Sequence, residues 1–357
     1  MEKLLTIIVP TYNKDLLLDR CLTSLIIEDE ILFNLLEVIV VNDGSTDRSS
    51  EIAHKYESQS PEVFHVVDKV NGNYGSSVNC ALKFATGKYV KLLDADDYYL
   101  TDEFEKMLNR LQEVDTDLVL TDYTLVSNRN TSKLQTRIYS DNRIFDFNKQ
   151  KDVEEIGSWI MHNITIKTEI FRCLKYHQTE GISYTDNEWV FFPLFKARNC
   201  LYMKLNVYQY CIGGYGQTVS LYELSRNIGS VVSIGERMID SYNKYNKNEL
   251  LPGQISLLKN QIESLFSHIV IIVLFRLPVS RKRMLEIKRF NDKLKTIPDI
   301  YQKTDKIQRG GYEYVHFWRL YDKDMRTSIK FGLREFIACC MGRRSYKLND
   351  LLFQKFI

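Results

Sequence analysis

Three aspartates stand within four residues at Asp94-Ala95-Asp96-Asp97, directly after the strand-like run Tyr89–Leu93. Carboxylates this close repel one another unless a cation sits among them. Mg2+ and Mn2+ are the natural occupants, because both take hard oxygen ligands and often share one or two carboxylates with substrate phosphates. A metal bridging a diphosphate also stabilises that group as it leaves. The plain alternative is that the aspartates cap the next helix or lie solvated in a turn. Two further strand-like runs end in polar residues, Pro10-Thr11-Tyr12-Asn13 and Asn42-Asp43-Gly44-Ser45. Tyr12 has a face that can stack on a base. Asp43 has an acceptor for an imide N–H, which uracil and thymine carry and cytosine lacks. A packed tyrosine and an Asx-turn aspartate are the structural alternatives.

These groups need elements to position them. Leu4–Val9, Leu35–Val41, Val63–Val67, Tyr89–Leu93 and a run beginning at Leu118 read as short buried strands. Between them lie helical stripes: Leu17, Leu18, Cys21, Leu22 and Leu25, then Val78, Ala81, Leu82 and Ala85, then Phe104, Met107, Leu108 and Leu111. Ser45 is expected to cap a helix carrying Ile52, Ala53 and Tyr56, and Gly87 to close the helix that precedes it. The alternation implies an α/β fold, a mainly parallel sheet flanked by helices. In such a sheet the polar strand ends share one rim, where ligands bind. The first strand ends carry no G-x-G-x-x-G, and no G-x-x-x-x-G-K-[ST] occurs, which disfavours a dehydrogenase or a P-loop enzyme.

Together, Thr6–Asn13, Val40–Asp47, Asn71–Asn79 and Leu93–Asp97 resemble the inverting family 2 glycosyltransferases with the GT-A fold. The likeness is strong over residues 1–111 and weaker to Ser220. It implies a nucleotide-sugar donor, usually a UDP-sugar, a Mg2+ or Mn2+ cofactor, and a glycan or lipid-linked saccharide as acceptor. Pro10, Tyr12 and Asp43 match nucleotide-holding positions, Asn79 matches the common asparagine, Asp94 the donor or metal contact, and Asp96 the metal ligand. Asp97 is an adjacent acidic group. Many members carry an arginine where this chain has Val78, and another near Gly214. The family's general base lies downstream in an acidic pair before an apolar helix. Asp186 aligns with it, Thr185 replaces the usual glutamate, and Glu188 is the substitute candidate. An inverting transfer needs such a base to take the acceptor hydroxyl proton. Asp186 is equally suited to cap the helix entering at Asn187. Trp189 reads as core rather than as an acceptor platform. His162 reads as structural, with contact to acceptor or a third metal ligand as the alternatives. Val207–Tyr210 and Gly213–Thr218 resemble the segment approaching the diphosphate, though the glycines equally suit a plain turn. The rivals are a nucleotidyltransferase, whose Gly-rich N-terminal loop is missing here, and a non-catalytic carbohydrate- or partner-binding module.

The 357 residues suggest a GT-A domain over 1–225, in which residues 1–111 bind the nucleotide-sugar and residues 112–225 supply the acceptor side and the base. A helical basic extension is expected over 226–357. The net charge of +2 conceals a division: 23 basic and 33 acidic residues to Ser225, then 25 basic and 13 acidic. Amphipathic stripes at Leu333–Met341 and Leu348–Leu352, flanked by Lys and Arg, suit a packed face or peripheral contact with an anionic membrane. No motif supports nucleic-acid binding. The longest apolar run, Ile269–Phe275, falls short of the roughly 18 residues a span needs, and no signal peptide is evident, so a cytoplasmic location is expected. Seven scattered cysteines without C-x-x-C read as reduced, mostly buried thiols.

Overall fold

Apolar and β-branched runs form β1 (Leu5–Thr11), β2 (Leu36–Asn42), β3 (Phe64–Asp68) and β4 (Tyr89–Leu92). β1 pairs in parallel with β2 and β4, and β2 with β3. The near-continuous burial of β1 and β2 is what a parallel sheet covered on both faces requires. The connecting helices are α1 (Asp15–Thr23), α2 (Glu30–Asn34), α3 (Ser49–Gln59), α4 (Asn73–Leu82) and α5 (Thr101–Glu113). Their expected stripes are buried, including Leu18, Cys21, Val78, Ala81, Phe104 and Leu108.

The computed structural model describes residues 2–127, 131–134, 140–156, 159–212, 221–278, 280–306, 308–309 and 312–321. Within these the sheet continues through β5 (Tyr98–Tyr99), β6 (Leu118–Ser127), β7 (Thr131–Leu134), β8 (Arg143–Asp146), β9 (Ile164–Lys167) and β10 (Asn199–Ile212). The strand order is β3-β2-β1-β4-β9-β6-β10-β5, with β7 beside β6 and β8 beside β10. β9 runs antiparallel to both β4 and β6, while β10 is parallel to β6. The whole sheet is therefore mixed, with parallel pairing in the first four strands and again in β6–β10. This topology matters for the rim. Because β9 is reversed, its start falls toward the end of β4 and beside Leu120 of β6, and β10 runs the same way as β6.

Two local expectations are corrected. Helix α3 begins at Ser49, three residues later than a Ser45 cap would place it, and the Asp47 carboxylate accepts from the Ser49 N–H at 2.9 Å. The Ser45 hydroxyl instead accepts from the Asn13 N–H at 3.0 Å, tying two rim loops together. Gly87 does not close α4, which ends at Leu82. It lies against β1, where a Cβ would come within 2.5 Å of the Thr6 nitrogen. Its N–H donates to the Thr6 hydroxyl at 3.0 Å, and that hydroxyl donates to buried Glu37. Glu37 also accepts from the Thr86 N–H and hydroxyl, so the buried carboxylate is fully hydrogen-bonded.

The chain divides into two compact units, Met1–Tyr215 with Asn248–Leu257, and Gly216–Lys247 with Leu258–Ile357. The first holds the sheet and the short helices α6 (Gln150–Ile156), α7 (Thr168–Leu174) and α8 (Asp186–Phe191). The described residues of the second are mainly helical, with α9 (Leu221–Lys244), most of α10 (Pro252–Ile271), α11 (Arg281–Leu294), α12 (Pro298–Thr304) and α13 (Tyr314–Tyr321), beside a short antiparallel pair of Gln308–Arg309 with Tyr312–Glu313. Gly235 of α9 meets the Phe290 ring of α11, where a Cβ would lie 2.3 Å from the ring. Among the described residues of this unit several basic side chains are paired, as in Arg289 with Glu236 and Lys293 with Asp240. One correction concerns the apolar stretch. The helix Pro252–Arg276 is long and apolar enough to span a bilayer by length and composition, because its uncharged polar residues count little against the window. Half of that window is buried in the protein, and Lys259 and Glu263 on it are ion-paired to Asp299 and Lys303. The stripes Leu333–Met341 and Leu348–Leu352, the segment Gly213–Thr218, Cys339 and Cys340 lie outside the described residues. The five described cysteines are free; Cys21 and Cys200 are buried, Cys173 is exposed, and Cys80 and Cys211 fall between.

Candidate active site

The turn after β4 puts its three carboxylates in different surroundings. Asp97 is fully buried; its Oδ2 accepts from the Tyr208 hydroxyl and its Oδ1 from the Cys211 N–H, both at 2.7 Å. Asp94 is open on one side, and its Oδ1 accepts from the Tyr74 hydroxyl at 2.9 Å. Asp96 is ion-paired with Lys14 at 2.9 Å, and its carbonyl accepts from Arg20 at 2.7 Å. Burial, then the neighbouring carboxylates, push Asp94 and Asp97 above the usual carboxylate range.

His162 lies beside this pair, on a short 3-10 turn (Met161–Asn163) that leads into β9. Its ring stacks on Tyr210 at 3.9 Å between centroids and meets Tyr208 edge-on at 4.9 Å. Nε2 is 4.0 Å from an oxygen of Asp94 and 4.0 Å from one of Asp97. Burial drives its pKa down to about 3, with the nearby Lys91 charge adding to the effect, so the imidazole is neutral. Lys91, in the middle of β4, is itself fully buried and donates to the carbonyls of His162 and Ile164 at 3.1 Å each. Asp94, Asp97 and His162 are the described residues that gather as a possible metal-holding group, with ligand atoms all within 4.8 Å of one another.

The nucleotide-side candidates occupy the ends of β1 and β2. Pro10 closes β1, and Tyr12 beyond it is 49% exposed, an aromatic face left open to solvent. Asp43 is buried; its Oδ1 takes the Lys69 ammonium at 2.5 Å and the Gly72 N–H at 2.9 Å. Gly44 has φ +74°, and a Cβ there would touch the Asn71 backbone at 3.0 Å. Asn79 faces elsewhere. Its amide donates to the Gln178 carbonyl and to Glu180, and accepts from the Gln178 N–H, each at 2.8 Å. It clamps the loop that leads to α8.

That loop carries Asp186. Asp186 is the first residue of α8, with Thr185 as the flanking residue, so the helix starts one position earlier than expected. Burial lifts the Asp186 carboxyl to about 6, partly offset by backbone N–H groups at the helix start. Its charge acts on both Asp94 and Tyr74. Thr185 is buried and accepts from Gln178 at 2.9 Å. Glu188 is buried and accepts from the Thr179 N–H and hydroxyl at 2.7 Å each, a structural engagement. Trp189 is core, stacked on Phe171 at 4.4 Å, as its apolar helix suggested. Val78, where many relatives have arginine, is core too.

Lys14 and Lys91 are not singled out in the sequence, and Tyr74 and Tyr208 only as members of the segments Asn71–Asn79 and Val207–Tyr210. Only Lys91 leaves a signal there: a lysine amid a buried strand must have a purpose. The tyrosines reach the pocket through pairings distant in sequence.

A parallel half-sheet with an acidic turn at its rim, extended by a mixed sheet and backed by helices, is the GT-A architecture. The S. aureus TarS 1–349 structure in complex with UDP-GlcNAc shares this fold, with a TM-score of 0.70 at 17% identity over 94% of this chain and 92% of that one. Residues 6–174 match the model for Glycosyl transferase family 2. The uncharacterized glycosyltransferase MG025 homolog of Mycoplasma pneumoniae is 39% identical over 106 residues, which is 29% of this chain and 35% of that protein. The minor teichoic acid biosynthesis protein GgaB of Bacillus subtilis is 33% identical over 147 residues, 41% of this chain and 16% of that protein. The match thus spans about a third or less of these relatives' lengths.

Proposed function

We propose that this chain is an inverting, metal-dependent glycosyltransferase that moves a sugar from a UDP-sugar to a hydroxyl of a glycan or lipid-linked saccharide. The observation that carries the reading is the acidic turn after β4 on the same sheet rim as Asp43 after β2, with Asp186 acting electrostatically on Asp94 and held near pKa 6. Tyr12 and Asp43 hold the nucleobase, Pro10 shapes the loop beneath it, and Asp94 meets the diphosphate side. A divalent cation, Mg2+ or Mn2+, fits the carboxylate-rich turn after β4 and supplies charge stabilisation to the departing diphosphate. Asp186 accepts the acceptor hydroxyl proton while that oxygen attacks the anomeric carbon from the face opposite the diphosphate. The bond from the anomeric carbon to the phosphate oxygen breaks, and its electrons leave with the UDP. A carboxylate of pKa about 6 is ionised at neutral pH yet basic enough to take that proton. With Val78 in place of an arginine, Lys14 at Asp96 and Lys69 at Asp43 bring positive charge to the donor side.

The TarS complex with UDP-GlcNAc supports a UDP-sugar, and the likeness to GgaB supports a cell-surface polymer as acceptor. Residues 1–225 form the catalytic region in this reading. Residues 226–357 form a basic extension suited to peripheral contact with anionic lipid from the cytoplasmic side. The test is calorimetric titration of the full chain with UDP, with and without Mn2+, followed by a panel of nucleotide-sugars assayed for metal-dependent hydrolysis. Metal-dependent UDP binding and turnover of at least one UDP-sugar are expected. Absence of UDP binding under both conditions overturns the reading in favour of a binding module. Release of pyrophosphate from a nucleoside triphosphate overturns it in favour of a nucleotidyltransferase.

A further inference from the structure

We infer that Asp68 and His54 are positioning residues for the nucleobase: through Asn42 they hold the turn that carries Asp43 and, one hydrogen bond further on, the loop that carries Tyr12. The inference rests on the UDP-sugar reading above and extends it to side chains that do not touch the base.

The first ground is the orientation of one buried amide. Asn42 ends β2 and is 5% exposed. Its Nδ2 donates to Asp68 Oδ1 at 2.6 Å, and its Oδ1 accepts from the Ser45 N–H at 3.1 Å. An amide can face either way, since one end donates and the other accepts. Asp68 decides the direction, because an ionised carboxylate only accepts and must meet the NH2 end. Hydrogen bonds from Asn42, then from His54, hold its carboxyl below the usual range. The carbonyl end of Asn42 is left for Ser45 and closes the turn Asp43-Gly44-Ser45. The Ser45 hydroxyl accepts from the Asn13 N–H at 3.0 Å, and Asn13 Oδ1 accepts from the Thr46 N–H at 2.8 Å. Asn13 follows Tyr12 and sits at φ +50°, a left-handed conformation that such bonds support. A second link runs along the chain: Lys69, the residue after Asp68, returns its ammonium to Asp43 at 2.5 Å.

The second ground is that Asp68 is itself held. Its Oδ2 meets His54 Nε2 at 2.7 Å, and its Oδ1 also accepts from the Ser50 hydroxyl at 2.8 Å. His54 Nδ1 meets Glu57 Oε2 at 2.8 Å, and Glu57 Oε1 accepts from the Val66 N–H at 2.7 Å. Carboxylates only accept, so both ring nitrogens donate and the ring is an imidazolium. Loss of its proton turns one nitrogen into an acceptor facing a carboxylate. The Asp68 side chain is 48% exposed, so a weakened His54 contact lets it swing toward water.

These groups act on the base through Asn42, so their removal should change affinity and leave the transfer step alone. Calorimetric titration of the full chain with UDP and Mn2+, beside thermal melts, tests this. Asp68→Asn should weaken UDP by about tenfold, because the new amide can offer its NH2 and turn Asn42 around. Hydrolysis of the UDP-sugar at saturating donor should keep its kcat within about threefold in that variant. Ser50→Ala removes a bond to the same carboxylate without touching Asn42 or His54, and should leave UDP affinity within about twofold. His54→Gln should weaken UDP about threefold at pH 6, and its difference from wild type should narrow as pH rises to 8.5. The charged groups acting on His54 are Asp68 and Glu57, which raise its pKa, so the contribution is complete at low pH and fades as pH rises through the folded value.

An Asp68→Asn variant that melts lower but binds UDP like the wild type overturns the assignment, and the cluster then only fastens α3 to β3. Equal weakening in Ser50→Ala overturns it too. If Asp68→Asn fails to fold, His54→Gln decides: a ratio to wild type that stays constant from pH 6 to pH 8.5 sinks the relay. If the wild type itself binds no UDP, the UDP-sugar reading has failed instead.

Discussion

Replacing Asn79 by alanine separates two roles that one side chain could play. In the structure its amide makes three hydrogen bonds to the loop at Gln178 and Glu180, and none of the atoms it touches lies on the nucleotide rim. Gln178 is fully buried, so Asn79→Ala leaves its N–H and its carbonyl without partners. Each orphaned group costs about 1–3 kcal/mol, giving about 2–6 kcal/mol in all. For a unit of this size each kcal/mol lowers the melting temperature by about 2–4 °C, so a fall of roughly 5–20 °C is expected. The loosened loop carries Thr185 through its bond from Gln178, and hence Asp186. Turnover should therefore drop more than UDP affinity. The checks are a thermal melt, a urea titration, and calorimetric binding of UDP with Mn2+. Asn79→Asp should be no better, because it loses the donor and sets a second carboxylate beside Glu180. A variant that melts like the wild type but binds UDP more than tenfold more weakly would refute the clamp and make Asn79 a donor contact.

Other outcomes follow from the same geometry. Asp186→Asn should lower turnover by about 100-fold to 10,000-fold with UDP affinity nearly intact; wild-type turnover in that variant would remove Asp186 as the base. Because Asp186 titrates near 6 and the base must be ionised, kcat at saturating Mn2+ should rise from pH 5 to 7 with a midpoint near 6, and the rise should vanish in Asp186→Asn. The groups that face it are Tyr74, Asp94 and Glu188. His54 is hydrogen-bonded to Asp68 and Glu57, which raise its pKa. Its stabilising contribution is complete below its unfolded value of about 6.5 and fades as pH rises through the folded one. Denaturant midpoints of wild type relative to His54→Gln should thus narrow between pH 6 and pH 8.5. Gly75→Ala drives a Cβ to 2.0 Å from the Thr179 carbonyl oxygen. A loss of about 1–3 kcal/mol in a urea titration is expected, with damage to turnover exceeding damage to UDP binding.

The donor half was legible because its signals are local. The ends of β1, β2 and β4 are marked by polar residues immediately after apolar runs, and a parallel sheet brings them together without further information. The helix stripes of α1, α4 and α5 were equally plain, since burial follows the 3.6-residue period. What stayed hidden depends on pairing across long stretches of chain. Nothing in Ile164–Lys167 says that it inserts, reversed, between β4 and β6. Without that, His162 is a histidine in a loop, and Tyr208 and Tyr210 are aromatics in a strand of unknown neighbours. Ser45 and Gly87 carried the right residue types for caps, but both were claimed by tertiary contacts, one by the Asn13 backbone and one by β1. The metal set Asp94 and Asp96 came from the family resemblance. Spacing could not reveal that Lys14 stands at Asp96 while Asp97 turns inward to β10.

The reversed strand also bears on how this protein can be taken apart and how it assembles. β9 supplies the hydrogen-bonding partner on the open side of β4. A fragment ending near residue 111 would contain the donor motifs but expose β4 as a raw sheet edge, a template for association with other chains. Dissecting the donor half as a free-standing nucleotide module should therefore yield aggregates rather than a weaker binder. During synthesis, likewise, the pocket cannot close when the acidic turn leaves the ribosome. It must wait for the residues of β9 and β10, roughly 70 to 120 positions later in the chain.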